Sequence, residues 1–242
     1  MARLRPGRLI GWLVAAGAAV VLLVVAGAYI YIHFISGPAP APLSLNSAPP
    51  GTSSGPSATA SSVPDGTKGT LAGTWRVAPG SVVGYRVNEV LAGQNNVAVG
   101  RTSDIAGTMK IQGSTVTAAS FTVQMGTIKS DESERDAQFN GRIMDTSAFP
   151  TGVLALSTPI KLAPVPAAGV VRGYHATGSL TLHGHTRPVT FTLRAERVGG
   201  QIEVSGSIPV LFADWGIANP SFAGFVTTQN HGELEFLVKF VS

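Results

Sequence analysis

The chain has 242 residues, no cysteine and a formal net charge of +4. Without cysteine it can form no disulfide and use no thiolate chemistry. The positive charge suggests an acidic partner, but Arg3, Arg5 and Arg8 supply much of the excess. From residue 71 onward, 13 Lys and Arg side chains stand against 12 Asp and Glu, with no basic cluster among them. We therefore expect no nucleic-acid partner.

The first predicted element is a transmembrane helix at residues 9–35, after a short basic tail at residues 1–8. These 27 residues contain no Asp, Glu, Lys or Arg, and a helix of that length spans roughly 40 Å. Ala26-Gly27-Ala28 resembles a signal-peptide cleavage site, which is the alternative, but the apolar run continues beyond it. The arginines before the span predict a cytoplasmic N-terminus, with everything after Ser36 outside the cytoplasm at the cell membrane.

Residues 36–69 follow as a predicted disordered linker. They hold seven prolines among Ser, Ala, Gly and Thr, with only Asp65 and Lys68 charged. Such a segment buries too little apolar surface to offset its chain entropy. A flexible coil of this length reaches on the order of 30 Å.

Residues 70–242 form the predicted globular domain, in which apolar and polar residues alternate with period two. The alternation is clearest in "FTVQM" (121–125), "VTFTLRAE" (189–196) and "ELEFLVKF" (233–240), and it indicates half-buried antiparallel strands. Further strands are predicted at 81–90, 98–112, 153–162, 170–182 and 201–212. The spacing favours an all-β closed or sandwich fold of about eight strands.

One segment, Ser130 to Asp145, breaks the alternation. Asp131 and Glu134 have the spacing of a capping box, and Phe139 and Ile143 lie four residues apart on one side. These features predict a helix of one to three turns over one end of the barrel. An irregular charged loop is the alternative.

Two histidines, His183 and His185, stand two residues apart in "SLTLHGHTRPVTF" (179–191). Two imidazoles with a carboxylate would suit zinc, so a metal-dependent enzyme is one hypothesis. However, the glycine between two strand-like runs and the following proline are typical of a hairpin turn. No spaced ligand set or catalytic pattern accompanies them. We therefore expect no metal, no cofactor and no enzymatic activity.

The globular domain resembles the YceI-like family of lipocalin-like barrels associated with polyisoprenoid binding. The resemblance is carried by "GTWRVAPGSVVGYRV" (73–87), "KSDESERDAQFNGRIMDTSAFPT" (129–151), "GSLTLHGHTRPVTF" (178–191) and "DWGI" (214–217). It implies an all-β fold: an extended antiparallel lipocalin-like β-barrel of about eight strands with one short helix. Here that barrel would follow a single transmembrane helix and a disordered linker. His185 and Gln138 depart from the family pattern, and Gln138 puts a head-group contact from the helix in doubt.

The resemblance implies a non-enzymatic protein that holds an isoprenoid-type lipid, and the predicted transmembrane helix would make this chain a tethered, extracytoplasmic version. The residues expected to line the interior, from the alternation, are Tyr85, Val87, Phe121, Val123, Leu180, Leu182, Phe191, Leu193 and Phe236. The aromatic residues expected at the mouth are Phe139, Phe149, Trp215 and Phe225. A barrel of this size either fills with its own side chains or holds one small ligand. The alternative is therefore a cell-envelope interaction module with a filled barrel.

Overall fold

The computed structural model describes residues 71–91, 93–221 and 226–242, together with Leu22, Gly27, residues 39–45 and Gly224. Twelve strands form within this part of the chain. They are β1 (Gly73–Val77), β2 (Val82–Leu91), β3 (Gln94–Thr102), β4 (Ile105–Gln112), β5 (Thr115–Gln124), β6 (Thr151–Leu156), β7 (Ile160–Lys161), β8 (Arg172–Leu182), β9 (His185–Val198), β10 (Gln201–Leu211), β11 (Val226–Thr228) and β12 (His231–Val241).

All the strand pairs are antiparallel, and together they close into an eight-stranded barrel. β1 and β2 lie end to end along one edge of β12. On their other edge, β4 pairs with β1 and β3 pairs with β2. The ring then continues through β5, β6, β8, β9 and β10, and returns to β12. β7 extends the β6 position and β11 extends the β12 position. The prediction of an all-β antiparallel barrel of about eight strands with one short helix is confirmed.

The break between β1 and β2 shows how a split strand keeps its place in the wall. Pro79 and Gly80 interrupt the ladder, and Gly80 has φ +86°, which favours glycine. The buried Ser81 hydroxyl donates to the Ala78 carbonyl at 2.8 Å and accepts from the Lys239 backbone N–H at 3.0 Å. One side chain thus replaces backbone bonds that the turn removes. A similar break at Ser103–Asp104 divides the predicted strand 98–112 into β3 and β4.

The predicted helix forms as α1 (Ser133–Gln138), followed by a π-helical turn at Phe139–Ile143. The capping box is wrong: Glu132 is the N-cap residue and its side chain makes no capping bond. Asp136 instead accepts hydrogen bonds from the Ser130 backbone N–H and hydroxyl, both at 2.8 Å. The Asp136 carboxylate reaches back over the first turn of α1 and holds Ser130, which lies just before the helix.

The predicted transmembrane span lies outside the described residues, apart from Leu22 and Gly27, which are both helical. Among the residues that the structure describes, no helix combines the length and hydropathy needed to cross a membrane. Residues 39–45 of the predicted disordered linker differ from that prediction, since they hydrogen-bond to the outer wall of the barrel. The rest of the linker, residues 36–38 and 46–69, lies outside the described part.

Candidate functional site: an apolar cavity inside the barrel

The barrel encloses a cavity of about 320 Å³ between two apolar clusters. The helix-end cluster includes Phe139, Leu180, Leu182, Phe191 and Trp215. The far-end cluster comprises Leu71, Trp75, Val83, Met109, Ile111, Val116, Ile202, Val238 and Phe240. Side chains of both clusters reach the cavity wall. The cavity therefore extends along the barrel and has a predominantly aliphatic and aromatic lining.

All nine residues predicted to face the interior line this cavity, as does Phe139 from the predicted mouth. Phe149 and Trp215 do not line it. Phe149 packs edge-on against His183, with ring centroids 4.6 Å apart, and Trp215 is buried with its indole N–H donating to the Leu180 carbonyl at 3.3 Å. Both support the barrel end from outside the cavity. Phe225 lies outside the described residues.

The inward side chains do not fill the barrel. Phe121, Val123, Leu193 and Phe236 lie on the cavity wall, yet each is only half-buried. A packed core buries its inward side chains almost completely, as Phe240 is buried in the far-end cluster with 2% exposure. Large side chains remain accessible because the cavity lies in front of them. This arrangement disfavours the filled-barrel alternative.

Tyr85 brings a polar group into the predominantly apolar lining. Its ring stacks on Phe139, with centroids 5.1 Å apart and an interplanar angle of 16°. On its neighbouring strand stands Gly100, where an added Cβ would lie 2.3 Å from the tyrosine ring, so only glycine accommodates the ring. Burial raises the pKa of the Tyr85 phenol well above its ordinary value. The hydroxyl hydrogen-bonds to no other described residue.

Charged groups at the helix end surround this tyrosine. The Arg135 guanidinium on α1 lies 3.4 Å from the Glu89 carboxylate on β2 and also pairs with Asp131, four residues earlier. Both Glu89 and Arg135 belong to the cavity lining. Gln138, the residue where the chain departs from the family pattern, is exposed and accepts a hydrogen bond from Arg142 at 3.0 Å. The cavity lining at this end therefore includes the polar groups of Tyr85, Glu89 and Arg135, together with Thr228, which pairs with Glu89 across β11 and β2.

The two histidines belong to the hairpin between β8 and β9. His183 and Gly184 form its two-residue turn with φ of +46° and +73°, as a type I′ turn requires. The His183 Nδ1–H donates to the Trp215 carbonyl at 3.3 Å, and a Cβ on Gly184 would lie 2.6 Å from the Phe149 ring. Within the described part of the chain, no three potential ligands form a metal site. The geometry accounts for this motif as a turn docked on the barrel end.

Several cavity residues were not predicted from the sequence. They are Met109, Ile111, Leu154, Leu156, Val204, Leu234 and Phe240, among others. Alternation along β6 and β12 contains the signal for Leu154, Leu156, Leu234 and Phe240. In β4 the pattern is interrupted by Gly107, where a Cβ would lie 2.4 Å from the Ser120 carbonyl oxygen. Because the strands approach closely at this point, an apolar side chain does not fit, and the alternating pattern is broken.

A closed antiparallel barrel of this size around an apolar cavity is an architecture that can hold one small ligand. The YceI-like domain model matches residues 75–240, and the chain belongs to the YceI-like family. A search of curated proteins gave no match.

Two solved structures share this fold. A polyisoprenoid binding domain from Saccharophagus degradans, implicated in plant cell wall breakdown, is 14% identical with a TM-score of 0.58, covering 69% of this chain and 98% of that one. BcnA from Burkholderia cenocepacia is 18% identical with a TM-score of 0.50, covering 64% and 95%. At these identities the likeness is one of fold.

Proposed function

We propose that this chain is a non-enzymatic lipid-binding protein whose barrel holds a polyisoprenoid or a similar amphiphile. The observation that carries the proposal is the apolar cavity of about 320 Å³, whose wall is built from nearly every strand of the barrel. This volume lies at the lower end of typical ligand sites, about 300–1,000 Å³. Membership of the YceI-like family supports the same class of ligand.

The physical driving force is burial of hydrocarbon. An isoprenoid chain that leaves a bilayer needs an equally apolar environment, and each Å² of apolar surface removed from water contributes about 25 cal/mol. Apolar cavities hold water poorly and therefore favour apolar guests. The half-buried Phe121, Leu193 and Phe236 would complete their burial against such a chain.

We place the polar head of the amphiphile at the helix end. The Tyr85 hydroxyl, the Glu89 carboxylate and the Arg135 guanidinium meet there, and an isoprenoid alcohol or phosphate can hydrogen-bond to such groups. The far-end cluster is apolar throughout and suits the terminal isoprene units. The head-group contacts therefore come from β2 and α1, with Gln138 turned away.

The proposal includes a membrane tether. The apolar segment at residues 9–35 would act as a single-pass helix with the N-terminus cytoplasmic and the barrel outside, because arginines precede the span. A tethered barrel meets lipids of the adjacent leaflet at a high effective concentration. Sedimentation of the full chain with membranes, resistant to alkaline carbonate, tests this part independently of lipid binding.

Lipid extraction tests the binding proposal. The full chain is purified in a mild detergent and extracted with organic solvent, and the extract is analysed by mass spectrometry. We expect an isoprenoid lipid at close to one molecule per chain, or its uptake when a polyprenyl phosphate is offered. A protein that emerges without isoprenoid and takes up none would contradict the proposal.

A further inference from the structure

Part of the linker is bound to the outer wall of the barrel. The Arg86 and Arg101 guanidinium groups donate to the backbone carbonyls of Pro40 and Ala41. The Leu43 backbone N–H donates to the Glu235 carboxylate at 3.2 Å. Residues 39–45 therefore bind through their backbone groups to side chains that are distant from them in the sequence.

The wall site depends on a glycine between its charged residues. Arg101, Gly84 and Glu235 lie side by side on β3, β2 and β12. An added Cβ on Gly84 would lie 3.0 Å from the Arg101 Cγ, so the bare glycine lets the arginine cross β2. Arg101 then contacts the Glu235 carboxylate at 2.7 Å, and Arg86 contacts it at 3.4 Å.

This cluster presents donors to a partner with backbone acceptors. With residues 39–45 in place, the Glu235 side chain is only 3% exposed, and a buried carboxylate is costly unless its neighbours satisfy it. Two arginines face this one carboxylate, which leaves further guanidinium N–H groups able to donate to other acceptors. The carbonyls at Pro40 and Ala41 supply them.

The sequence of the segment fits the site. Prolines stand at positions 40 and 42, where no N–H is used, and they restrict the backbone to an extended form before it binds. Leu43, where an N–H donates, is not proline. Leu43 and Leu45 are half-buried. The segment thus combines a backbone that the prolines order in advance with an N–H at Leu43, where the Glu235 carboxylate can accept it.

We propose that Arg86, Arg101 and Glu235 form a docking site for the chain's own residues 39–45, and that docking holds the barrel close to the membrane. The second half of this inference rests on the proposed tether. Only residues 36–38 separate the predicted span from the docked segment, a reach of at most about 14 Å. The undocked linker would reach on the order of 30 Å. The wall formed by β2, β3 and β12 would face the bilayer side.

Docking is tested by a distance measurement in the full chain. Because the chain has no cysteine, Ala39→Cys and Lys110→Cys accept two spin labels without further changes. We expect one narrow distance distribution in phosphatidylcholine–phosphatidylglycerol vesicles. Leu43→Pro removes the donated N–H without changing any residue of the barrel. Glu235→Gln removes the negative charge of the carboxylate that accepts it. Both should broaden the distribution.

Ala41→Pro is the matched control, because it removes an N–H that donates no hydrogen bond among the described residues and keeps the carbonyl. It should leave the distribution narrow. A broad distribution in the parent chain, or no broadening in Leu43→Pro, would overturn the docking. A chain that carries no lipid contradicts the proposed function and leaves this distance unchanged, so the two failures are distinguishable.

The proposed closeness of the barrel to the membrane is tested by energy transfer. A donor dye is attached at Lys110→Cys and an acceptor dye is placed on lipid head groups. Transfer should be higher in the parent chain and in Ala41→Pro than in Leu43→Pro. Equal energy transfer in all three chains would contradict the proposal that docking holds the barrel close to the membrane.

Discussion

Tyr85 on β2 and Phe139 in the π-helical turn stack with centroids 5.1 Å apart, and both rings line the cavity. The contact joins the barrel wall to the helical segment that covers its end. A ring pair of this kind contributes about 0.5–1.5 kcal/mol beyond area burial. It also places the Tyr85 hydroxyl where the apolar lining meets Glu89 and Arg135. We therefore expect that loosening this helical segment would both lower stability and weaken ligand retention.

Replacing Phe139 by alanine should loosen the packing of the helical segment against the end of the barrel. Phe139 is buried with 8% exposure, so its loss should lower the free energy of unfolding by about 3–4 kcal/mol, measured by urea denaturation. Bound lipid should also exchange faster with vesicles. The exposed neighbour Gln138→Ala is the control and should change neither quantity. Equal lipid exchange in Phe139→Ala and the parent would contradict the role of this helical segment.

Enlarging Val204 should exclude the ligand. Val204 faces the cavity from β10 and is half-buried, so a phenylalanine there would occupy cavity space. We expect less isoprenoid in the organic extract, with the free energy of unfolding lowered by no more than about 3 kcal/mol. Thr190→Phe, on the exposed outer face of β9, adds a similar bulk without entering the cavity. If both variants keep the parent's lipid content, the ligand does not lie in this cavity.

High pH should destabilise the fold through Tyr85. Burial raises the pKa of this phenol in the folded chain, whereas the unfolded chain titrates near pH 10. Above about pH 10 the unfolded state loses a proton that the folded state keeps, so the contribution of Tyr85 to stability is constant below that pH and falls above it. Urea unfolding at a series of alkaline pH values should show a smaller decline in Tyr85→Phe. Identical slopes in the two chains would contradict the burial of this hydroxyl.

Adding a methyl group at Gly84 should distort the wall. Its Cβ would lie 2.0 Å from the Gly100 carbonyl oxygen and 3.0 Å from the Arg101 Cα, and backbone atoms cannot move aside easily. Overpacking of this kind costs about 1–3 kcal/mol or more, which thermal unfolding would detect. Gly141→Ala, where nothing lies within 4 Å of the new Cβ, should be tolerated. Equal stability of both variants would show that the strands separate there at little cost.

The sequence predicted the barrel wall well because alternation determines which face of a strand is buried. Leu180, Leu182, Phe191 and Leu193 occupy the cavity wall for this reason. The placement of Trp215 and Phe149 could not be predicted in the same way. Phe149 lies in a loop and Trp215 ends a short 3₁₀ helix at Phe212–Trp215, and the orientation of both depends on tertiary packing against the His183 turn.

The wall site of Arg86, Arg101 and Glu235 had no local signal. Its residues come from three strands, and their contact depends on register and on the small size of Gly84. Composition alone classed residues 39–45 as linker, since proline-rich segments seldom pack. Here backbone carbonyls and one N–H bind to the wall, and no apolar periodicity is needed for that.

Native mass spectrometry of the full chain, released gently from detergent, is the most direct test of lipid binding in the barrel. We expect a mass above that of the 242-residue polypeptide by one isoprenoid lipid, which is lost on collisional activation and less abundant in Val204→Phe. A bare polypeptide mass that stays unchanged after incubation with polyprenyl phosphate would contradict it.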